Sequence, residues 1–155
     1  MIFLIVGILN VTPDSFFDGG KYYDTSIAIE HAREMIAHGA RVIDIGGEST
    51  RPFSKRVSVE EELDRVIPVL EKLISQIDGV TISVDTYKAK VAKESILKGA
   101  KIINDVSACR FDPELFDVVC EYKPGYVLMH SLGRPEDMQK DPKYTDVVGE
   151  LLDFF

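Results

Sequence analysis

The stretch NVTPDSFFDGG, residues 10–20, follows directly on an apolar run at residues 2–9. An apolar run of this kind predicts a strand that is buried on both faces, as in a parallel sheet covered by helices. The polar residues behind it, with their proline and glycines, predict a loop at the carboxyl end of that strand. Because α/β enzymes keep their chemistry at the carboxyl ends of parallel strands, this loop is the first candidate site.

Four later segments repeat this arrangement. Each follows a helical pattern that closes at a glycine, continues through apolar or β-branched residues and ends in a polar residue; the runs are residues 42–45, 80–85, 102–105 and 126–130. The intervening segments have helical apolar spacing, and their predicted starts are Asp24, Ser58, Thr86 and Asp112. A fifth helical pattern begins near Val147.

Strands that alternate with helices predict parallel βα units, which fit either a barrel or an open doubly wound sheet. Two features favour the barrel. No GxGxxG or GxxxxGK[ST] loop follows any predicted strand, and the candidate site residues follow every strand instead of one switch point. The chain nevertheless contains about five such units, whereas a closed (β/α)8 barrel requires eight.

Composition narrows the class of protein further. The 155 residues carry a net charge of −8, which disfavours nucleic acid as a partner. The apolar amino-terminal run is too short for a membrane span and lacks the features of a signal peptide. Cys109 and Cys120 are too few for a disulfide framework, and Cys120 falls on the apolar stripe of a predicted helix, so we expect a reducing cytoplasm.

Five motifs occur in order along the chain: GILNVTPDSFFDGG at 7–20, IDIGGESTRP at 43–52, SVDT at 83–86, INDVSA at 103–108 and VLMH at 127–130. In these motifs the chain resembles the dihydropteroate synthase family of pterin-binding enzymes. The resemblance implies a TIM (β/α)8 barrel, Mg²⁺ as cofactor, and the joining of p-aminobenzoate to 6-hydroxymethyl-7,8-dihydropterin diphosphate with release of diphosphate. It also implies one pterin-binding domain over residues 1–155, with the barrel incomplete.

The resemblance assigns roles to particular residues. Asn10 matches the magnesium-holding position, and its amide oxygen is a hard, neutral ligand suited to that ion. Thr50, Arg51 and Pro52 match the loop that contacts the diphosphate and p-aminobenzoate, where arginine can hold a pair of phosphate oxygens. The alternative for Asn10 is an asparagine that caps a loop, and the alternative for Thr50 and Arg51 is a solvated pair on the surface.

Asp85 and Asn104 match positions that bind the pterin edge, and their oxygens and amide suit its side-by-side donors and acceptors. Helix capping is the alternative for Asp85. Asp18 and Phe16 lie in a loop that resembles the mobile first loop of the family, and the resemblance places Asp18 with Arg51 among the catalytic residues. Met129 matches a pterin-lining position, although a methionine on a buried strand is most often core.

Some features depart from the family. Phe53 stands where a small residue is usual, Ser131 and Leu132 replace a typical Met-Arg, and Arg134 is a candidate to restore the lost charge. The family's later motifs have no counterpart before Phe155, so we expect the amino-terminal portion of a longer enzyme, which can form a homodimer. Two other hypotheses remain: a non-catalytic pterin-binding fragment and a pterin-dependent methyltransferase barrel.

Overall fold

The computed structural model describes residues 3–12, 25–49, 56–134, 138 and 141–155. These residues form five strands and five helices in strict alternation. The strands are β1 (Val6–Asn10), β2 (Val42–Gly46), β3 (Thr81–Asp85), β4 (Ile102–Asp105) and β5 (Gly125–Leu128). The helices are α1 (Thr25–Ala37), α2 (Val59–Gln76), α3 (Ala89–Leu97), α4 (Glu114–Tyr122) and α5 (Val147–Phe154).

The strands form one parallel sheet in the order β1-β2-β3-β4-β5. Sequential parallel neighbours joined by helices are the connection that builds a (β/α) barrel. The predicted repetition of βα units is therefore confirmed. In the described residues the sheet is open, with β1 and β5 at its two edges.

The two faces of the sheet have different surroundings. One face packs against the helices and is fully buried at Leu9, Ile43, Ile45, Val84 and Ile103. The other face is left open at the edges, where Val6, Ile8 and Val127 are 49%, 64% and 48% exposed. A side chain on this second face, which would be the inner face of a barrel, lies within reach of a ligand.

Two predicted helix boundaries are confirmed in detail. The Ser58 hydroxyl accepts a hydrogen bond of 3.1 Å from the Glu61 backbone N–H and caps α2, which continues through Pro68. Helix α1 ends before Gly39, whose φ of +104° is a conformation that only glycine adopts without strain.

The predicted start of the third helix at Thr86 is wrong, because α3 begins at Ala89. Thr86 extends the sheet instead, since its backbone N–H donates to the Asn104 carbonyl at 3.0 Å. Its hydroxyl then accepts from the Lys88 N–H at 3.2 Å and closes a turn. Because the Thr86 hydroxyl bonds to a backbone group only two residues ahead, residues 86–88 form a turn, and the helix starts after it.

The predicted position of Cys120 is also wrong, because its side chain is exposed. Helix α4 buries Leu115 and Val118, with Val119 and Tyr122 partly buried beside them. That set has helical i, i+3, i+4, i+7 spacing, and Cys120 lies outside it.

The carboxylate of Asp112 connects two helices. One oxygen accepts from the Ala89 N–H at 2.7 Å, at the first residue of α3, and the other accepts from the Glu114 N–H at 3.3 Å, at the first residue of α4. The backbone N–H groups at the starts of two neighbouring helices thus bond to one side chain.

No helix among the residues described here is long and apolar enough to cross a membrane.

We expect Asp112→Ala to lower the free energy of unfolding by about 1 to 3 kcal/mol, because it removes the caps of two helices. Urea denaturation of the complete protein measures this change. Asp112→Asn keeps an acceptor oxygen and should cost less, and Asp117→Ala, on the exposed side of α4, is the matched control. Equal midpoints for Asp112→Ala and Asp117→Ala would contradict the double cap.

Candidate active site

Three predicted site residues and one glycine lie in one row across the sheet. Asn10 pairs with Gly46, Gly46 pairs with Asp85, and Asp85 pairs with Asn104. We call this row, at the carboxyl ends of β1 to β4, the terminal row. Adjacent strands are about 4.8 Å apart, so the side chains of Asp85 and Asn104 can contact one flat ligand.

Gly46 leaves a gap in the terminal row. A Cβ atom at this position would lie 3.3 Å from the Asn10 Oδ1 atom and 3.8 Å from the Asp85 Oδ2 atom. Any side chain here would therefore fill the space between the amide and the carboxylate. The glycine keeps both groups accessible from the open face of the sheet.

Asp85 is partly buried in an acidic part of the molecule. Burial, followed by the negative charges of nearby carboxylates, raises the pKa of Asp85 to about 8. These carboxylates belong, in order of effect, to Asp44, Glu62, Asp105 and Glu48. This raised pKa favours the protonated form of the Asp85 carboxyl group at neutral pH.

Asn104 is held by Asp44 of β2. The Asn104 side-chain NH₂ donates to the Asp44 Oδ2 atom at 2.9 Å, across β3. Asp44 is buried, and its second oxygen, Oδ1, has no hydrogen-bond partner among the residues that the structure describes.

The segments that follow β2 and β3 contribute to an ion network around Lys88. The Lys88 ammonium group contacts the Glu48 carboxylate at 2.6 Å and also donates to the Glu62 carboxylate. Glu48 accepts further hydrogen bonds from the Tyr87 hydroxyl at 2.8 Å and from the Val57 N–H at 3.2 Å. Glu48 therefore connects the end of β2 to the segment before α2 and to the segment before α3.

The structure describes some of the predicted site residues and brings three of them together. Asn10, Asp85 and Asn104 lie together in the terminal row, which is the arrangement that their predicted roles require, and the roles themselves stay predictions. Met129 is partly buried and follows the last residue of β5, outside this row. The remaining predicted residues, Phe16, Asp18, Thr50, Arg51 and Pro52, lie outside the described residues.

Ser131 and Arg134, which follow β5, contact residues of the loop after β4. Ser131 is buried, and its hydroxyl oxygen lies within hydrogen-bond distance of the Val106 and Gly133 carbonyl oxygens and accepts from the Arg110 guanidinium at 3.1 Å. The Arg134 guanidinium lies 4.2 Å from the ring centroid of Phe111. Compensation by Arg134 for a lost charge stays a prediction.

Sequence reasoning missed the network of Lys88, Tyr87 and Glu62. The available signal was Glu62, because it precedes Val66, Val69 and Leu70 at helical spacing and so falls on the buried stripe of α2. A carboxylate on such a stripe predicts a buried polar or charged partner, although the identity of the partner does not follow from the spacing.

The donor set is suited to a weakly held magnesium ion. Asn10 is exposed on the open face and offers one neutral oxygen. No group of three or more His, Cys, Asp or Glu side chains in the described part of the chain could hold a metal by itself. Mg²⁺ commonly keeps several waters and takes further ligands from substrate phosphates, so a single protein oxygen fits that mode.

Known proteins share this fold and sequence. The chain is 52% identical over 149 residues to the dihydropteroate synthase of Bacillus subtilis, an alignment that covers 96% of this chain and 50% of that protein. The Yersinia pestis dihydropteroate synthase, solved with a sulfonamide drug, superposes with a TM-score of 0.87 at 46% identity, covering 98% of this chain and 55% of that one.

The Xanthomonas albilineans dihydropteroate synthase in complex with 7,8-dihydropteroate gives a TM-score of 0.78 at 40% identity and covers 97% of this chain and 51% of that one. The chain thus spans about half the length of the proteins it matches, and its open sheet corresponds to part of their TIM barrel, as predicted. A family model described as pterin binding enzyme matches residues 6–155, so the chain belongs to the pterin binding enzyme family.

Proposed function

We propose that the protein is a dihydropteroate synthase, which joins p-aminobenzoate to 6-hydroxymethyl-7,8-dihydropterin diphosphate and releases diphosphate. The observation that carries the proposal is the terminal row, in which Asp85 and Asn104 lie on adjacent strands beside the gap at Gly46. Similarity to dihydropteroate synthases over nearly the whole chain supports the same reaction.

Asp85 and Asn104 suit the amino-pyrimidinone edge of a pterin. This edge presents an exocyclic amine and a ring N–H side by side, and a carboxylate can accept from both. The Asn104 amide oxygen supplies a further acceptor. In a region where four other carboxylates act on Asp85, a ligand edge rich in N–H donors is favoured over one rich in acceptors.

The chain's own residues then have a positioning role in the reaction. Asp85 and Asn104 hold the pterin ring, so its reacting methylene group is fixed relative to p-aminobenzoate. We propose that Thr50, Arg51 and Pro52 contact the diphosphate and p-aminobenzoate, that Phe16 and Met129 line the rings, and that Asp18 assists catalysis. The attacking group is the aniline nitrogen of p-aminobenzoate, and no nucleophilic side chain is required.

We further propose that Asn10 holds Mg²⁺ through its amide oxygen. When bound, this ion would stabilise the negative charge that develops on the departing diphosphate. The exposed position of Asn10 beside the Gly46 gap supports this assignment.

We also propose that the complete protein works in the cytoplasm and can form a homodimer. Cys109 and Cys120 are both free thiols, which supports a reducing compartment.

The raised pKa of Asp85 makes pterin binding depend on pH. A ligand with two N–H donors needs the carboxylate, but below about pH 8 the free protein holds Asp85 protonated. Affinity for 6-hydroxymethyl-7,8-dihydropterin should therefore increase with pH, by up to about tenfold per unit, and level off above pH 8. Anaerobic calorimetry of the complete protein at pH 6 to 9 measures this, and two buffers of different ionisation enthalpy count the released proton.

Two variants of Asp85 serve as controls. Asp85→Asn should remove the pH dependence, and Asp85→Ala should weaken binding at pH 9 by about 1 to 3 kcal/mol, the usual cost of leaving polar partners unpaired. The groups that act on Asp85 are Asp44, Glu48, Glu62 and Asp105. An affinity that stays constant between pH 6 and pH 8 would contradict the displacement of a proton from Asp85.

The proposed reaction and the role of Asn10 are tested in one assay, p-aminobenzoate-dependent release of diphosphate by the complete protein. Asn10→Ala should raise the Mg²⁺ concentration for half-maximal rate, on the order of tenfold, because it removes the metal-holding oxygen. Asn10→Asp keeps an oxygen at this position and should retain the response.

An unaltered magnesium titration for Asn10→Ala would refute the metal role. Pterin binding without any diphosphate release would instead favour a non-catalytic pterin-binding protein.

A further inference from the structure

The buried carboxylate of Asp44 has a contact that spans three strands. Asp44 lies on β2 and pairs with Ser83 of β3, two residues before the terminal row. Its Oδ2 atom nevertheless accepts from the Asn104 amide on β4 at 2.9 Å. Ser83 is buried and has the short side chain that a contact across β3 requires.

This contact determines how the Asn104 amide is turned. An amide has a donor end and an acceptor end, whereas a carboxylate only accepts. Because the NH₂ group faces Asp44, the Oδ1 atom of Asn104 is directed away from Asp44. Without that partner the two ends of the amide could exchange places at small cost, and a ligand would meet either end.

The cost of placing Asp44 here suggests a role beyond stability. The residue is only 6% exposed, and its Oδ1 atom has no hydrogen-bond partner among the described residues. A buried carboxylate oxygen without a partner is destabilising. Such a group is expected where a function depends on it.

We propose that Asp44 is a positioning residue that fixes the amide of Asn104, so that Asn104 presents its oxygen as an acceptor to an N–H group of the bound pterin. This inference rests on the proposed function, because it specifies how the same site recognises its ligand. Asp44 itself does not touch the ligand in this role and acts only through Asn104.

The test compares two substitutions that remove the same charge. Asp44→Ala deletes the acceptor, whereas Asp44→Asn keeps an amide oxygen that can accept from Asn104. Since both variants lose the negative charge that acts on Asp85, their difference isolates the hydrogen bond. Affinity of the complete protein for 6-hydroxymethyl-7,8-dihydropterin is measured at pH 9, where Asp85 is mostly ionised.

We expect Asp44→Ala to bind the pterin about tenfold more weakly than Asp44→Asn, which corresponds to loss of one oriented hydrogen bond. In an Asn104→Ala background the two variants should bind equally, because the residue through which Asp44 acts is absent. Equal affinities in the unsubstituted background, or an undiminished tenfold difference in the Asn104→Ala background, would overturn the role of Asp44. Failure of the unsubstituted protein to bind the pterin would overturn the proposed function itself.

A second measurement needs no substitution of Asp44. The side-chain NH₂ resonances of Asn104 are identified by nuclear magnetic resonance from their loss in Asn104→Ala. We expect one of the two protons to exchange slowly with solvent in the free protein, because it is bonded to Asp44. Rapid exchange of both protons would overturn the proposal.

Discussion

The hydrogen-bonded register of β1 to β4 places Asn10, Gly46, Asp85 and Asn104 side by side. In a parallel sheet a slip of one residue moves every side chain of a strand to the opposite face. A slip of β3 alone would turn Asp85 toward the helices and bring Val84 to the open face. The helix-facing residues Leu9, Ile45, Val84 and Ile103 are fully buried, and their burial therefore holds the register on which the site depends.

The same arrangement of strands brings several charged side chains close to the terminal row. Asp44, Glu48, Glu62 and Asp105 act on Asp85, and Lys88 contacts two of these groups, Glu48 and Glu62. Burying several carboxylates beside one lysine is costly for folding and raises the pKa of Asp85. In the proposed function this cost is offset when a donor-rich ligand binds, because its N–H groups supply partners for the Asp85 carboxylate.

Much of this arrangement could be predicted from the sequence. The first apolar run and the four later runs from glycine to a polar residue located the five strands in the described part of the chain, because apolar runs of this length that end in polar residues are typical of strands in βα units. Asn10, Asp85 and Asn104 were identified at three of these strand ends. Register was not predictable, since alternation is weak in strands such as β2, which is buried at every position.

Contacts between segments that are distant in the chain could not be predicted from the sequence either. Glu48 and Lys88 are far apart in the chain and meet only because the end of β2 approaches the start of α3. The start of α3 was misplaced for a related reason, since Thr86 pairs with β4 and Asp112 supplies the cap from another segment. Local patterns identify capping residues but do not show which helix a side chain reaches.

The most direct test of the central claim is a crystal structure of the complete protein with 6-hydroxymethyl-7,8-dihydropterin. We expect the ring to lie beside the Gly46 gap, with its amino-pyrimidinone edge on the Asp85 carboxylate and an N–H group on the Asn104 oxygen. A pterin bound elsewhere, or bound without contact to Asp85 and Asn104, would contradict the assignment of the terminal row as the pterin site.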